Sequence, residues 1–325
     1  MDIFITGAPG WLGNKTVDYF TRKHNVTALV LPYMDARHLE KMGAKIVRGD
    51  ITKPETLRGV MDNSDYVLHI AGIIHPPFSK LNLVYKINTE GTKNMLKAAI
   101  DSDVKRFVYI SSNSAQGIQR YRDELLKEDM PCRPYMAYGK SKKLAEEAVM
   151  RAHHDGLETV ILRPCWFYGP GQPARQTKLI KMIKEGKVPL FGDGQNLRSM
   201  SYLDNTIQGM ELALTKKKAN GNIYWITDEK PYTTIEIYET IADILGVPLR
   251  VRKIPGFFAD IAEIMDKVIQ ALGFYEINIH VAGEMNKNIA CSIEKAKKEL
   301  GYKPRISLRK GMEISIDWAR QHGQL

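Results

Sequence analysis

The first thirteen residues constrain this chain more than any other stretch. An apolar run, Asp2-Ile3-Phe4-Ile5-Thr6, passes directly into Gly7-Ala8-Pro9-Gly10-Trp11-Leu12-Gly13, and an amphipathic segment carrying Val17, Tyr19 and Phe20 follows. The order reads as a short buried strand, a tight glycine turn and a helix. Glycines at 7, 10 and 13 serve three needs in such a unit: a sharp turn, close backbone approach to a ligand, and tight helix-on-strand packing. The helix start aims free N–H groups and a positive dipole end at the turn, which suits a pyrophosphate. Gly7, Gly10, Trp11, Leu12 and Gly13 are therefore the expected dinucleotide cradle.

Further strand-like runs fall at 26–31, 45–48, 66–70, 105–111 and 159–163, with helical stretches between them. This alternation predicts an α/β fold with a doubly wound parallel Rossmann sheet, whose ligands collect at the carboxyl ends of the strands. Asp50 and Ile51, after the third strand, are placed to flank an adenine. Ala71 and Gly72 end the fourth strand, and Asn88 sits in the next helix, where a helix kink, a bound water and a capping role are all open. The fifth strand delivers Ser111 and Ser112 to the same edge.

The second strand ends at Leu31-Pro32, so the acid that would accept an NAD ribose hydroxyl is missing there. Asp35 and Arg37 come shortly after. Arg37 and Lys15 tilt the expectation from NAD towards NADP; the competing reading is that both are plain surface cations.

Tyr138-Gly139-Lys140-Ser141-Lys142 supplies the chemistry. In a helix, Tyr138 and Lys142 lie one turn apart on one face. A phenol with an ordinary pKa of about 10 is a poor base at neutral pH, and an ammonium beside it stabilises the phenolate. A serine hydroxyl in reach holds the substrate oxygen. Ser112, Tyr138 and Lys142 would form a proton-transfer site for an alcohol or ketone, useful only beside a hydride carrier. The sixth strand leads into Pro164-Cys-Trp-Phe-Tyr168-Gly-Pro-Gly171, a turn stiffened by two prolines and expected against the cofactor's far end.

Beyond residue 171 the alternation decays. The sequence suggests a dinucleotide-binding domain over 1–171 and a smaller, interleaved substrate domain over 172–325, with a segment near 198–227 returning to the main sheet. The run from Ile254 to Phe274 carries Phe257, Phe258, Ile261, Ile264, Met265, Ile269 and Leu272 at helical spacing. Such a stripe reads first as core, and otherwise as a lid over an apolar substrate or a membrane-surface face.

With 325 residues, 44% hydrophobic and 26% charged, the composition is that of a soluble globular protein. The net charge of +10 is spread among acids, so it is read as attraction for anionic small molecules and not as a nucleic-acid footprint. Three cysteines lack metal-ligand spacing, which argues for a reduced, cytoplasmic setting without a metal. No signal peptide and no membrane span are read from the sequence.

Over essentially its whole length the chain resembles the extended short-chain dehydrogenase/reductase superfamily. The matching pieces are TGAPGWLG, SSNSAQG, YGKSK, LRPCWFYGPG and the closing ELGYKPRISLRKGM. The resemblance implies that Ser112, five positions before Gly117, is the catalytic serine, that Lys142 also binds the nicotinamide ribose, and that Ala71, Gly72, Asn88, Ser111 and Pro164 line the cofactor. It also implies a homodimer paired through helices near 80–101 and 135–155. Asn113-Ser114 stands where sugar-nucleotide dehydratases carry Asp-Glu, which argues against dehydration. Arg198 stands where sugar-nucleotide epimerases often hold a phosphate. GDGQNLRSMSYLDN, GNIYWITDEKP and the apolar helix look more like the 3β-hydroxysteroid dehydrogenase and dihydroflavonol reductase branch, whose members act on bulkier, less polar alcohols and ketones. The expected activity is interconversion of a secondary alcohol and a ketone, with nucleotide-sugar epimerisation as the alternative and a non-catalytic dinucleotide sensor behind both. Ser112, Asn113, Tyr168 and Arg198 are the expected substrate contacts.

Overall fold

The computed structural model describes residues 1–119 and 123–325. Its strands are β1 Asp2–Thr6, β2 Asn25–Val30, β3 Lys45–Arg48, β4 Tyr66–His69, β5 Arg106–Ile110, β6 Glu158–Arg163, β7 Trp166–Tyr168, β8 Val188–Phe191, β9 Leu197–Arg198, β10 Met200–Tyr202, β11 Asn222–Trp225, β12 Tyr232–Thr233 and β13 Val251–Ile254. The helices are α1 Trp11–Thr21, α2 Arg37–Lys41, α3 Gly91–Asp101, α4 Asn113–Gln116, α5 Met136–His154, α6 Ala174–Lys184, α7 Leu203–Thr215, α8 Thr234–Leu245, α9 Phe257–Ala271, α10 Ile277–Glu284, α11 Glu294–Leu300 and α12 Leu308–Gln321.

Seven parallel strands form the main sheet in the order β11-β6-β5-β4-β1-β2-β3. Successive side chains of a strand point to opposite faces, and each face is buried under helices. Ile3 and Ile5 join Leu12, Val17 and Phe20 of α1 and Ile207 and Met210 of α7 in one core layer. Phe4, with Phe107 and Tyr109, packs on Met95 and Leu96 of α3 and Ala145 and Val149 of α5 in the other. A third apolar cluster, built from α6, α8, α12 and β10, lies in the C-terminal part. The chain crosses between the two regions: β11 extends the main sheet beside β6, and α7 covers that sheet beside α1.

The apolar stripe of residues 254–274 departs from its first reading as core. On α9 the apolar residues face outward and the buried positions are Ala259 and Asp266. The reason is local: the polar residues of that helix are used inward, on α5 and α10. Among the described residues no helix is long and apolar enough to cross a membrane.

Candidate active site

At the first turn the glycines are required by contact. Gly7 has φ +73°, and a Cβ there would meet the Ala71 nitrogen at 2.7 Å. At Gly13 a Cβ would lie 2.1 Å from the Gly7 carbonyl oxygen. Helix α1 starts after Gly10 with no side-chain cap and no acidic residue in its first turn. Its first N–H groups are thus free to bind an anion, and the cradle fits a dinucleotide pyrophosphate. The Thr6 hydroxyl accepts from the Ile70 and Ala71 N–H groups at 3.2 and 3.1 Å and pairs with His69 at 2.7 Å, tying the ends of β1 and β4 together beneath that turn.

Along the same sheet edge, Asp50 accepts from the Thr52 N–H and hydroxyl, both at 2.8 Å, so its carboxylate shapes its own turn. Ile51 is buried against Gly91. Arg37 is exposed and forks onto Asp35 at 2.6 Å, and Lys15 sits 3.5 Å from Asp204 of α7. Both cations that tilt the cofactor expectation towards NADP have acidic partners. Trp11 donates its indole N–H to the Pro170 carbonyl at 2.8 Å, fastening the glycine turn to the proline turn after β6.

Ser112 is the N-cap of α4, accepting from the Ser114 N–H. Tyr138 stands in the first turn of α5, with its phenol close enough to the Ser112 hydroxyl for that group to lower its pKa. Two glycines permit that approach. A Cβ on Gly139 would sit 2.2 Å from the Ser114 carbonyl oxygen, and one on Gly117 would sit 2.0 Å from that of Arg133. Lys142 follows one turn after Tyr138 and is buried, with Nζ 2.7 Å from the Ile110 carbonyl oxygen and 4.3 Å from the centre of the Tyr109 ring. Burial pushes the Tyr138 phenol up to about 12, opposed by the nearby Ser112 hydroxyl and by the Arg175 charge. Burial lowers the Lys142 amine to about 7. The Lys142 amine is turned to the Ile110 carbonyl, and the groups that lower the Tyr138 pKa are Ser112 and Arg175.

Asn88 belongs to a π-helical turn, Tyr85–Glu90, that leads into α3. Its amide accepts from the Ile73 N–H at 2.8 Å and donates to the Ile73 carbonyl at 2.9 Å and to Ser141 Oγ at 3.0 Å. These bonds clamp the loop after β4 to the Tyr138 helix. Ser111 turns away from the edge. Its hydroxyl donates to Glu146 at 2.6 Å, and Glu146 forms an ion pair with Arg163 at 2.6 Å, both fully buried. The Pro164 carbonyl accepts from the Asn113 N–H at 3.0 Å, joining the loops after β5 and β6.

Two expected substrate residues serve internal ties. Tyr168 is buried and donates to Asp228 at 2.6 Å. Arg198 is buried, donates to the Glu284 carbonyl of α10 and lies over Trp166, so a covering helix closes it from the cleft. The structure adds groups that sequence reasoning missed. Arg175, at the start of α6, lies close enough for its charge to act on Tyr138 and His75. His75 is hydrogen bonded to Tyr275, and His280 of α10 donates to Asp266 of α9 at 2.7 Å. His75 and Tyr275 sit in irregular segments and the others in helices far along the chain, where no motif marks them. Among the described residues no cluster of three potential metal ligands occurs.

Residues 3–227 match the NAD dependent epimerase/dehydratase family. The protein y4nL of Sinorhizobium fredii is 40% identical, over 99% of this chain and 96% of its own. A 4-hydroxy-2-methyl-3-oxo-4-farnesyl-3,4-dihydroquinoline-1-oxide ketoreductase of Stigmatella aurantiaca is 27% identical over 96% of this chain and 95% of its own. Among solved structures, the UDP-glucuronic acid 4-epimerase of Bacillus cereus in complex with NAD superposes with a TM-score of 0.78 at 24% identity, covering 99% of both chains. The last likeness bears on the fold alone. With a glycine cradle, a serine-tyrosine pair and a buried lysine on one sheet edge, and with this family match, the chain belongs to the NAD dependent epimerase/dehydratase family and is an enzyme of the extended short-chain dehydrogenase/reductase type.

Proposed function

We propose that the protein is an NAD(P)-dependent oxidoreductase interconverting an apolar secondary alcohol and its ketone, with Tyr138 as the acid and base. The observation that carries this reading is the convergence of the Ser112 hydroxyl and the Tyr138 phenol, brought together by close backbone approaches at Gly117 and Gly139, beside the glycine cradle. When bound, the nicotinamide supplies or accepts the hydride. The Gly7 to Gly13 turn and the start of α1 hold the pyrophosphate, Asp50 and Ile51 border the adenine, Lys142 reaches a ribose hydroxyl, and Ala71, Gly72 and Pro164 line the remainder. Ser112 donates to the substrate oxygen and Asn113 lies beside it. Tyr138 gives its proton to that oxygen in reduction and takes it back in oxidation.

An apolar substrate is supported by the outward apolar residues of α9, by Phe78 stacked on Phe274 with centroids 5.1 Å apart, and by likeness to a ketoreductase of a farnesylated substrate. Tyr168 and Arg198 are left out of the substrate set, since the Tyr168 hydroxyl is bound to Asp228 and Arg198 is buried and donates to the Glu284 carbonyl. The closure of Arg198 also weighs against a sugar nucleotide. NADP remains the preferred dinucleotide in this proposal: exposed ion pairs such as Arg37 with Asp35 are worth only about 0–1 kcal/mol, so a 2′-phosphate can draw Arg37 away. Residues 1–171 are taken as the dinucleotide-binding domain and 172–325 mainly as the substrate domain. A homodimer through α3 and α5 is supported by exposed Ile100 and Leu144 on those helices.

The test is to purify the protein, identify any nucleotide it releases, and assay NADPH and NADH oxidation with 2-decanone, 1-tetralone and a 3-ketosteroid. Net ketone-dependent oxidation, faster with NADPH and abolished by Tyr138→Phe, is expected. Tightly held NAD with no net turnover would replace this reading with epimerisation.

A further inference from the structure

We propose that Gln270 is a positioning residue for Tyr138, coupling the seating of helix α9 to the start of helix α5; the proposal rests on the reading of Tyr138 as the acid and base. Helix α9 is amphipathic in the unusual sense. Phe257, Ile264, Val268 and Leu272 are 55, 61, 55 and 69% exposed, while Asp266 is completely buried. A buried carboxylate is tolerated only when it is well hydrogen bonded, so the inward polar face must be holding something.

What it holds is a chain of hydrogen bonds ending on the Tyr138 helix. Asp266 accepts from His280 Nδ1 of α10 at 2.7 Å and from Gln270 Nε2 at 2.9 and 3.0 Å. Against the effect of burial, Asp266 and Glu284 hold the His280 imidazole above its ordinary pKa. Fixed in this way, Gln270 turns its Oε1 to the backbone N–H of Ala137, 3.0 Å away. Ala137 directly precedes Tyr138, and its N–H is one of the first four in α5, which have no acceptor within the helix.

The start of α5 needs such help. Its N-cap residue, Tyr135, makes no side-chain cap, and Met136 has φ +53°. A non-glycine residue in that left-handed region costs on the order of 1–2 kcal/mol. The first turn of α5, which aims the phenol at Ser112, is therefore strained and uncapped by its own sequence. Gln270 supplies the missing acceptor from a helix some 130 residues later. When α9 seats, the cap is made and the Tyr138 turn is fixed; when α9 lifts, the turn loses that acceptor.

The experiment compares wild type with Gln270→Met, which keeps the length of the side chain but not its polar atoms. Amide hydrogen exchange at residues 136–139 should accelerate on the order of tenfold or more in Gln270→Met, with amides of β1 and β4 unchanged. With NADPH and 1-tetralone, kcat should fall about tenfold while KM and the NADPH Kd move less than about threefold. Asp266→Asn, which weakens the hold on Gln270, should give the same pattern in smaller measure, and Lys267→Ala, an exposed residue of the same helix, should match wild type. Exchange at 136–139 that stays at the wild-type rate, or that rises together with β1 and β4, would overturn the proposal. If no ketone is reduced by the wild type the functional reading fails, and the exchange result alone still decides whether Gln270 caps α5.

Discussion

The side-chain amine of Lys142 donates to the carbonyl oxygen of Ile110 at 2.7 Å, below the Tyr109 ring, while the phenol of Tyr138 one turn earlier lies near the Ser112 hydroxyl. The two halves of the Tyr-x-x-x-Lys pair thus have different partners. Tyr138 is tuned by the loop after β5, and Lys142 is held by the strand itself.

This division predicts unequal effects on the phenol in dinucleotide-free protein. Ser112→Ala removes a hydroxyl that lowers the Tyr138 pKa, so the phenol should ionise at still higher pH. Lys142→Met should leave that ionisation nearly unchanged. Near-ultraviolet difference titrations, each referred to Tyr138→Phe, read both shifts. In turnover, Ser112→Ala should lower kcat on the order of 10²-fold, as expected for loss of one donor to a reacting oxygen.

The Glu146 carboxylate, fully buried, binds Arg163 through two nitrogens at 2.8 and 2.6 Å and receives the Ser111 hydroxyl at 2.6 Å. Removing one partner of a buried pair leaves an uncompensated charge and costs about 3–5 kcal/mol. Glu146→Ala should lose stability of that order in urea unfolding, and Glu146→Gln, which keeps one acceptor, should lose less.

His69 is buried between Thr6 and Thr92, and burial, with the Lys142 charge adding to it, lowers its pKa from 6.5 to about 3. The unfolded chain therefore binds a proton below about 6.5 that the folded chain refuses until about 3. Stability from the neutral imidazole is fully present above 6.5 and is lost as pH falls towards 3, in total on the order of 3–5 kcal/mol. Urea midpoints of wild type and His69→Gln measured from pH 7 to 4 should converge as the pH falls. Parallel curves would show that His69 is not the group responsible.

The sequence alone determined the strand-glycine turn-helix opening and the parallel alternation after it, and it put forward Ser112, Tyr138 and Lys142 as the proposed catalytic set. These features are local: a glycine spacing, a strand length and an i,i+4 pair are each written within a dozen residues, and the family match over 3–227 agrees with the fold they imply. The sequence did not determine which face of α9 turns inward. Periodicity predicts an apolar face seeking the core, but Asp266 and Gln270 are drawn inward by acceptor-hungry groups on α5 and α10. Nor could it show that Tyr168 and Arg198 are tied up, since Asp228 and Glu284 lie 60 and 86 residues away from them in sequence. Motifs fix which groups can react. Only the tertiary structure decided which polar groups remain free to do so, because a hydrogen bond is assigned by proximity in space, and the chain brings together partners that no spacing rule connects.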